Sequence, residues 1–334
     1  MALRLIELIL SELNEKQVKE AVKDYKVLDL WYARLSDEKF MTRILVEAET
    51  SEELIDDLER KFSDQQGFRI TVLPVQASIP RPLEEKKEVE EPKTEKKRVP
   101  LRISREEMYS NIKDSTKLTK IYMVTVALSV IVAAIGITQD SIAVVIGAMV
   151  IAPLLGPNIA LSLATTLADV SLARLSLRSL GIGIVITLVL SIALGYLLDV
   201  DPDRMSIYSQ SGLSIDAVIL ALASGSAGAL FITIGVSTAL VGVMLAVALL
   251  PPLVTVGLLI GAGYSSMAVD ASFLFLTNLI CINLAGVLTF IWQGIRPNYW
   301  WEAEKAKKYS IAAIIIWILV LATLALIAYL SQQI

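Results

Sequence analysis

The sequence predicts a mainly α membrane protein of about seven transmembrane helices in a 3+3 inverted repeat, preceded by an α+β domain of ferredoxin-like βαββαβ order. Three observations carry that expectation. Apolar residues make up 55% of the 334 positions against 19% charged, and most of the charge lies before Lys120. From Ala217 to Val269 no residue is charged, a run long enough for two crossings when roughly 20 apolar residues suffice for one. The sequence also matches itself without gaps at an offset of 95.

Residues 1–80 are expected to form the ferredoxin-like domain, on the cytoplasmic side. Leu3 to Leu10 reads as a strand. In "NEKQVKEAVKDY" Val18, Ala21, Val22 and Tyr25 fall on one face of a helix starting near Asn14. Strands follow at Val27 to Leu35 and Lys39 to Ala48, with a turn at Ser36 to Lys39. Thr50 and Glu53 have capping-box spacing ahead of the stripe Leu54, Ile55, Leu58 and Phe62, and "FRITV" closes the pattern. The fold serves sensing, metal-carrying and structural modules alike. No Cys-x-x-Cys or glycine-rich phosphate loop is present, which favours a regulatory or assembly role over ligand binding.

Residues 81–103 mix both charge signs with proline and no apolar period, as a solvated linker does. Ser104 and Glu107 form a second capping pair, for an amphipathic connecting helix expected over 104–120.

The membrane part, 121–334, has spans expected at about 121–138, 142–166, 179–198, 215–233, 237–262, 269–293 and 310–331. With the N-terminus cytoplasmic, the inner loops hold Lys117, Lys120, Arg174, Arg178, Arg296, Lys305, Lys307 and Lys308, and the outer loops only Arg204. The C-terminus then lies outside a plasma (inner) membrane.

The repeat pairs Ser129, Ala134, Ile137, Thr138, Gly147, Met149, Leu154, Leu155 and Pro157 with Ser224, Ala229, Ile232, Thr233, Gly242, Met244, Leu249, Leu250 and Pro252. Three spans per copy is an odd number, so the second copy is expected upside down. Both copies carry helix breakers inside an apolar run: Pro153, Gly156 and Pro157 in one, Pro251 and Pro252 in the other. Helices restarting at Pro157 and Pro252 would aim their positive N-terminal ends at one region, where freed backbone groups can hold a solute. Kinking for packing is the plainer account of the same prolines. Asn158, Ser224, Ser226, Asn278 and Asn283 are further polar residues in apolar runs, serving either as helix glue or as solute contacts. These ten residues are the candidate solute site, reached from the lipid bilayer's two sides.

Histidine is absent and Cys281 is the only cysteine, which excludes Cys/His zinc sites, internal disulfides and histidine acid–base chemistry. No carboxylate falls mid-span, so a proton relay is not expected. No metal site, cofactor or enzymatic step is predicted. The net charge of −4 argues against nucleic acid, and "MALRLIELIL" has too short an apolar run for a signal peptide.

"GAMVIAPLLGP", followed by "LALASGSAGAL" and "LLPPL", resembles the prokaryotic membrane family catalogued as domain of unknown function 389, over about residues 110–295. The resemblance implies a polytopic membrane protein and no particular activity. The residues themselves predict a transporter or channel for a small polar or ionic solute, in a chain that could assemble as a homo-oligomer. The alternative is a membrane-anchored sensor whose N-terminal domain binds a metabolite or protein.

Overall fold

The computed structural model describes residues 3–11, 15–36, 39–75, 78, 103–201, 215–236, 249–295, 308 and 311–323. The chain divides into two compact units, Met1–Met108 and Tyr109–Ile334.

In the first unit, β1 (Leu3–Leu10), α1 (Glu15–Val22), β2 (Val27–Ser36), β3 (Lys39–Glu47), α2 (Ala48–Phe62) and β4 (Arg69–Val75) follow one another in βαββαβ order. The sheet order is β2-β3-β1-β4, with every pairing antiparallel. That is the split βαβ arrangement the periodicity predicts. Strand side chains alternate between faces, so Ile6, Leu8 and Leu10 of β1 and Ile44 and Val46 of β3 point one way. They bury against Val18 and Val22 of α1 and Leu54, Leu58 and Phe62 of α2. Full burial of each such side chain contributes roughly 1.5–3 kcal/mol.

Two helix starts differ from expectation. α2 begins at Ala48 straight off β3, and the side chain of its cap Glu47 makes no bond to the helix amides. Thr50 therefore lies inside the first turn and forms no capping box. At α3 (Arg105–Ser115) the cap does form, with Ser104 Oγ accepting from the Glu107 amide at 3.3 Å. The Glu107 carboxylate is taken instead by buried Arg4, whose Nε and Nη2 lie 2.8 and 3.2 Å from its two oxygens. α3 stops at Ser115 and does not continue to Lys120. Ser115 and Thr116 hydroxyls donate to the carbonyls of Ile112 and Lys113, both at 2.7 Å, ending the last turn. Thr119 then caps the next helix by accepting from the Tyr122 amide.

The second unit contains α4 (Lys120–Thr138), α5 (Ile142–Ile151), α6 (Leu155–Leu167), α7 (Val170–Leu197), α8 (Ile215–Thr233), α9 (Leu250–Gly261) and α10 (Ser265–Trp292). A short apolar helix, α11, covers Ile311–Thr323. Four helices are long and apolar enough to cross a bilayer: α4, α7, α8 from Asp216, and α10. The pair α5 and α6, bent by 54°, makes up to five. These are the helices of a multi-pass membrane protein. Of the other two expected spans, 237–262 is described only from Leu249 and 310–331 only over 311–323; the rest of each lies outside the described residues.

α7 begins at Val170, well before the charge-free run at 179, because Asp169 caps it by accepting from the amides of Ser171 (2.9 Å) and Leu172 (3.0 Å). Arg174 and Arg178 sit within the helix.

Helix boundaries recur at the offset of 95. α4 and α8 cover 120–138 and 215–233, α6 and α9 start at 155 and 250, and α7 and α10 cover 170–197 and 265–292. The packing recurs with them. α7 packs on α4 as α10 does on α8, α6 packs on α10 as α9 does on α7, and α6 on α7 as α9 on α10.

Candidate functional site

The first interruption comprises Ala152, Pro153 and Leu154. Ala152 is extended (φ −69°, ψ 118°), which ends α5, and α6 restarts at Leu155 with Leu154 as its cap. α9 begins at Leu250, with Leu249 as its cap; the chain just before it, 237–248, lies outside the described residues. The expected restarts at Pro157 and Pro252 are thus two residues late. Both prolines lie within the first turn, where an amide has no intrahelical acceptor and its absence costs nothing.

The two short helices each run alongside a long helix. Ala152 and Leu154 share a single apolar cluster with Leu250 and Val254. From there α9 runs in the same direction as α7, with Gly257 against Ser191 and Gly261 against Gly195. α6 runs in the same direction as α10, with Asn158 against Leu279 and Asn283, and Ser162 against Asn283 and Gly286. The residues at the breaks are packed, Leu154 and Leu155 at 3% exposure and Leu250 at 0%.

Asn158 and Asn283 are joined across the α6–α10 contact. Asn283 Nδ2 donates to the Asn158 carbonyl at 3.2 Å and to its Oδ1 at 3.4 Å. Asn158 Nδ2 donates to the Leu279 carbonyl at 3.4 Å, and Ser162 Oγ to the Asn283 carbonyl at 3.1 Å. Both asparagines are buried, at 0% and 1% exposure. Asn283 Oδ1 has no hydrogen-bond partner among the described residues. An orphaned buried acceptor costs about 1–3 kcal/mol.

The other candidates are more dispersed. Pro153, Gly156 and Pro157 belong with Asn158 to the first break, and Pro251 and Pro252 to the second. Asn278 is buried elsewhere on α10. Ser224 and Ser226 are half-buried on α8, flanking Gly225, where an added Cβ would lie 2.7 Å from Ile282 Cα. Ser162 was missing from the candidates. Its spacing of four from Asn158 was the one sequence signal for it.

A charged residue follows the end of α6. Asp169 Oδ2 accepts from the Tyr109 hydroxyl at 2.6 Å. Burial and the carboxylate push the Tyr109 phenol up to about 12. Burial alone would raise Asp169, but its bonds from Tyr109, Leu172 and Ser171 outweigh that and hold it below its ordinary value.

The model of the family described as domain of unknown function (DUF389) matches residues 149–284, which include both breaks and both asparagines of the pair. A curated relative, "Uncharacterized protein MJ0678" of Methanocaldococcus jannaschii, is 41% identical over 288 residues, covering 86% of this chain and 87% of its own. No solved structure matches. With that identity over most of both chains and the family's model on its membrane helices, the chain belongs to the family of domain of unknown function 389.

Proposed function

We propose that this protein carries or conducts a small polar or ionic solute across the plasma (inner) membrane, without a catalytic step. Seven spans form a 3+3 inverted repeat, with the N-terminal domain cytoplasmic and the C-terminus outside. The domain at residues 1–80 regulates or assembles the membrane part through the linker at 81–103.

One observation carries this reading: α6 and α9 start 95 residues apart and each runs alongside the other copy's long helix. α6 is joined to α7 by the short Ala168–Asp169 turn and packs back on it, yet runs with α10, which supports opposite directions for α7 and α10. These are repeat counterparts, so one copy is inverted relative to the other. Half-helix N-termini meeting inside a bundle expose backbone groups only where protein or a solute satisfies them.

Purified full-length protein in liposomes tests transport by flux of small solutes and ions. Single cysteines test the topology in a Cys281→Ala background: Ser206→Cys and Gln332→Cys should both label from outside. Labelling of the second only from inside removes the seven-span count.

The sensor alternative has its own support in the first unit. The sheet face away from the helices carries a shallow cavity of about 480 Å³ lined by Leu5, Trp31, Ala33, Arg43, Leu45 and Val75. Solute binding to that domain with no flux in liposomes would favour it.

A further inference from the structure

We infer that the Asn158–Asn283 site takes a small uncharged solute that donates a hydrogen bond to Asn283 Oδ1. This deepens the transport reading and rests on it.

The amide of Asn283 can face only one way. Its nitrogen meets two oxygens, the carbonyl and Oδ1 of Asn158, so its own oxygen must point to the opposite side. That oxygen is buried and accepts nothing among the described residues. Around it the polar groups are already committed as donors: Asn158 Nδ2 to Leu279, Ser162 Oγ to the Asn283 carbonyl, and Asn283 Nδ2 to Asn158. The unfilled capacity is therefore for a donor.

A donor could be charged or neutral, and the surroundings choose. No charged residue occurs from Ser141 to Ala168 or from Ala271 to Ile295, the segments that build α5, α6 and most of α10. An ion held here would be buried without a counter-charge, which is far more costly than burying a neutral amide or hydroxyl. A neutral molecule with N–H or O–H donors, such as an amide, a urea or a polyol, supplies that donor.

The test uses full-length protein in liposomes, with light scattering for urea and glycerol entry and parallel sodium and chloride flux assays. Urea and glycerol should enter faster than into protein-free liposomes, and sodium and chloride should not. Tetramethylurea, which lacks N–H donors, should not compete with urea. Asn283→Leu should lower urea flux about tenfold, the scale of one lost hydrogen bond to a buried group. Should that variant aggregate, Asn283→Ser, which keeps a smaller acceptor, should give an intermediate flux. Sodium or chloride flux without urea or glycerol would overturn the solute class and leave transport standing. Unchanged urea flux in both variants would remove Asn283 from the site, and absence of every flux would remove the transport reading itself.

Discussion

Gly257 lies so close to Ser191 that a Cβ added to it would come within 1.8 Å of the serine hydroxyl oxygen. Ser191 Oγ is held there by donating to the Thr187 carbonyl at 2.6 Å. At the other α-helical crossing of the same kind, a Cβ on Gly286 would come 2.7 Å from Ser162 Oγ. Adding 95 to 162 gives 257, and adding 95 to 191 gives 286. The same two positions thus form both crossings, one serine and one glycine each time, with the serine on the short helix in one copy and on the long helix in the other.

Gly257→Ser should therefore destabilise the protein by about 1–3 kcal/mol, the usual cost of overpacking. Ser191→Gly combined with it should recover most of the loss, because the pair then copies the Ser162–Gly286 crossing. Thermal unfolding of both single variants and the double variant in detergent gives the coupling. Additive losses would mean that the two positions do not share one contact.

Where charge marks a boundary, the helix end was legible: α4 runs from Lys120 to just before Asp140 and α8 starts beside Asp216, while no charge marks the end of α8 at Thr233. α7 and α10 were cut short for the same reason. A hydropathy run ends where Arg178 or Asp270 appears, but a helix continues as long as its backbone bonds do, here back to caps at Asp169 and Tyr264. The breakers marked the interruptions, yet not the restart residues, because proline is equally tolerated at any position of a first turn. The Asn158–Asn283 pair was beyond reach of pattern. Both residues were visible as polar singletons, but which one meets which is decided by α6 crossing α10, 125 residues apart in sequence.

Arg4 is buried on the face of β1 that also carries Ile6, Leu8 and Leu10, and Glu107 meets it with both oxygens. Glu107→Ala should cost about 2–3 kcal/mol, since it strands a buried guanidinium rather than merely removing a contact. Arg4→Met with Glu107→Leu should be much closer to wild type. Chemical unfolding of the full chain, followed by hydrogen exchange of the β1 and β3 amides, checks both. Equal losses in the single and double variants would show that the pair itself, not the stranded charge, carries the effect.

The Tyr109–Asp169 bond gives the membrane unit a dependence on pH at both extremes. Asp169 sits below its ordinary value in the folded protein, so its contribution is present above about 4 and is lost as pH falls through the folded value. Tyr109 is raised from 10 to about 12, so its contribution is complete below 10 and lost as pH rises towards 12. Tyr109→Phe should reduce the alkaline loss by the share Tyr109 carries and move the onset of the acid loss to higher pH, since Asp169 keeps only its bonds from Ser171 and Leu172. Melting temperature against pH for the two proteins measures this. Superimposable acid limbs would show that the phenol does not hold the carboxylate.

Gly156 is the residue at which the sequence and the structure part company over a variant. From the sequence, a leucine there should fill the solute space and stop transport with expression intact. In the structure a Cβ on Gly156 lies 2.9 Å from Ser115 Oγ, 3.0 Å from its Cβ and 3.3 Å from its carbonyl oxygen. The glycine is needed where the end of α3 meets the first turn of α6, and a leucine would drive into backbone as well as into a hydroxyl. Gly156→Leu should then lower the yield of folded protein along with flux. Gly156→Ala is the graded probe, with a loss of about 1 kcal/mol. Ser115→Gly, which removes the two nearer obstacles and leaves the carbonyl, should return most of it. A Gly156→Leu protein that is made at wild-type yield, melts at the wild-type temperature and fails only in flux would instead place open space, not Ser115, in front of Gly156.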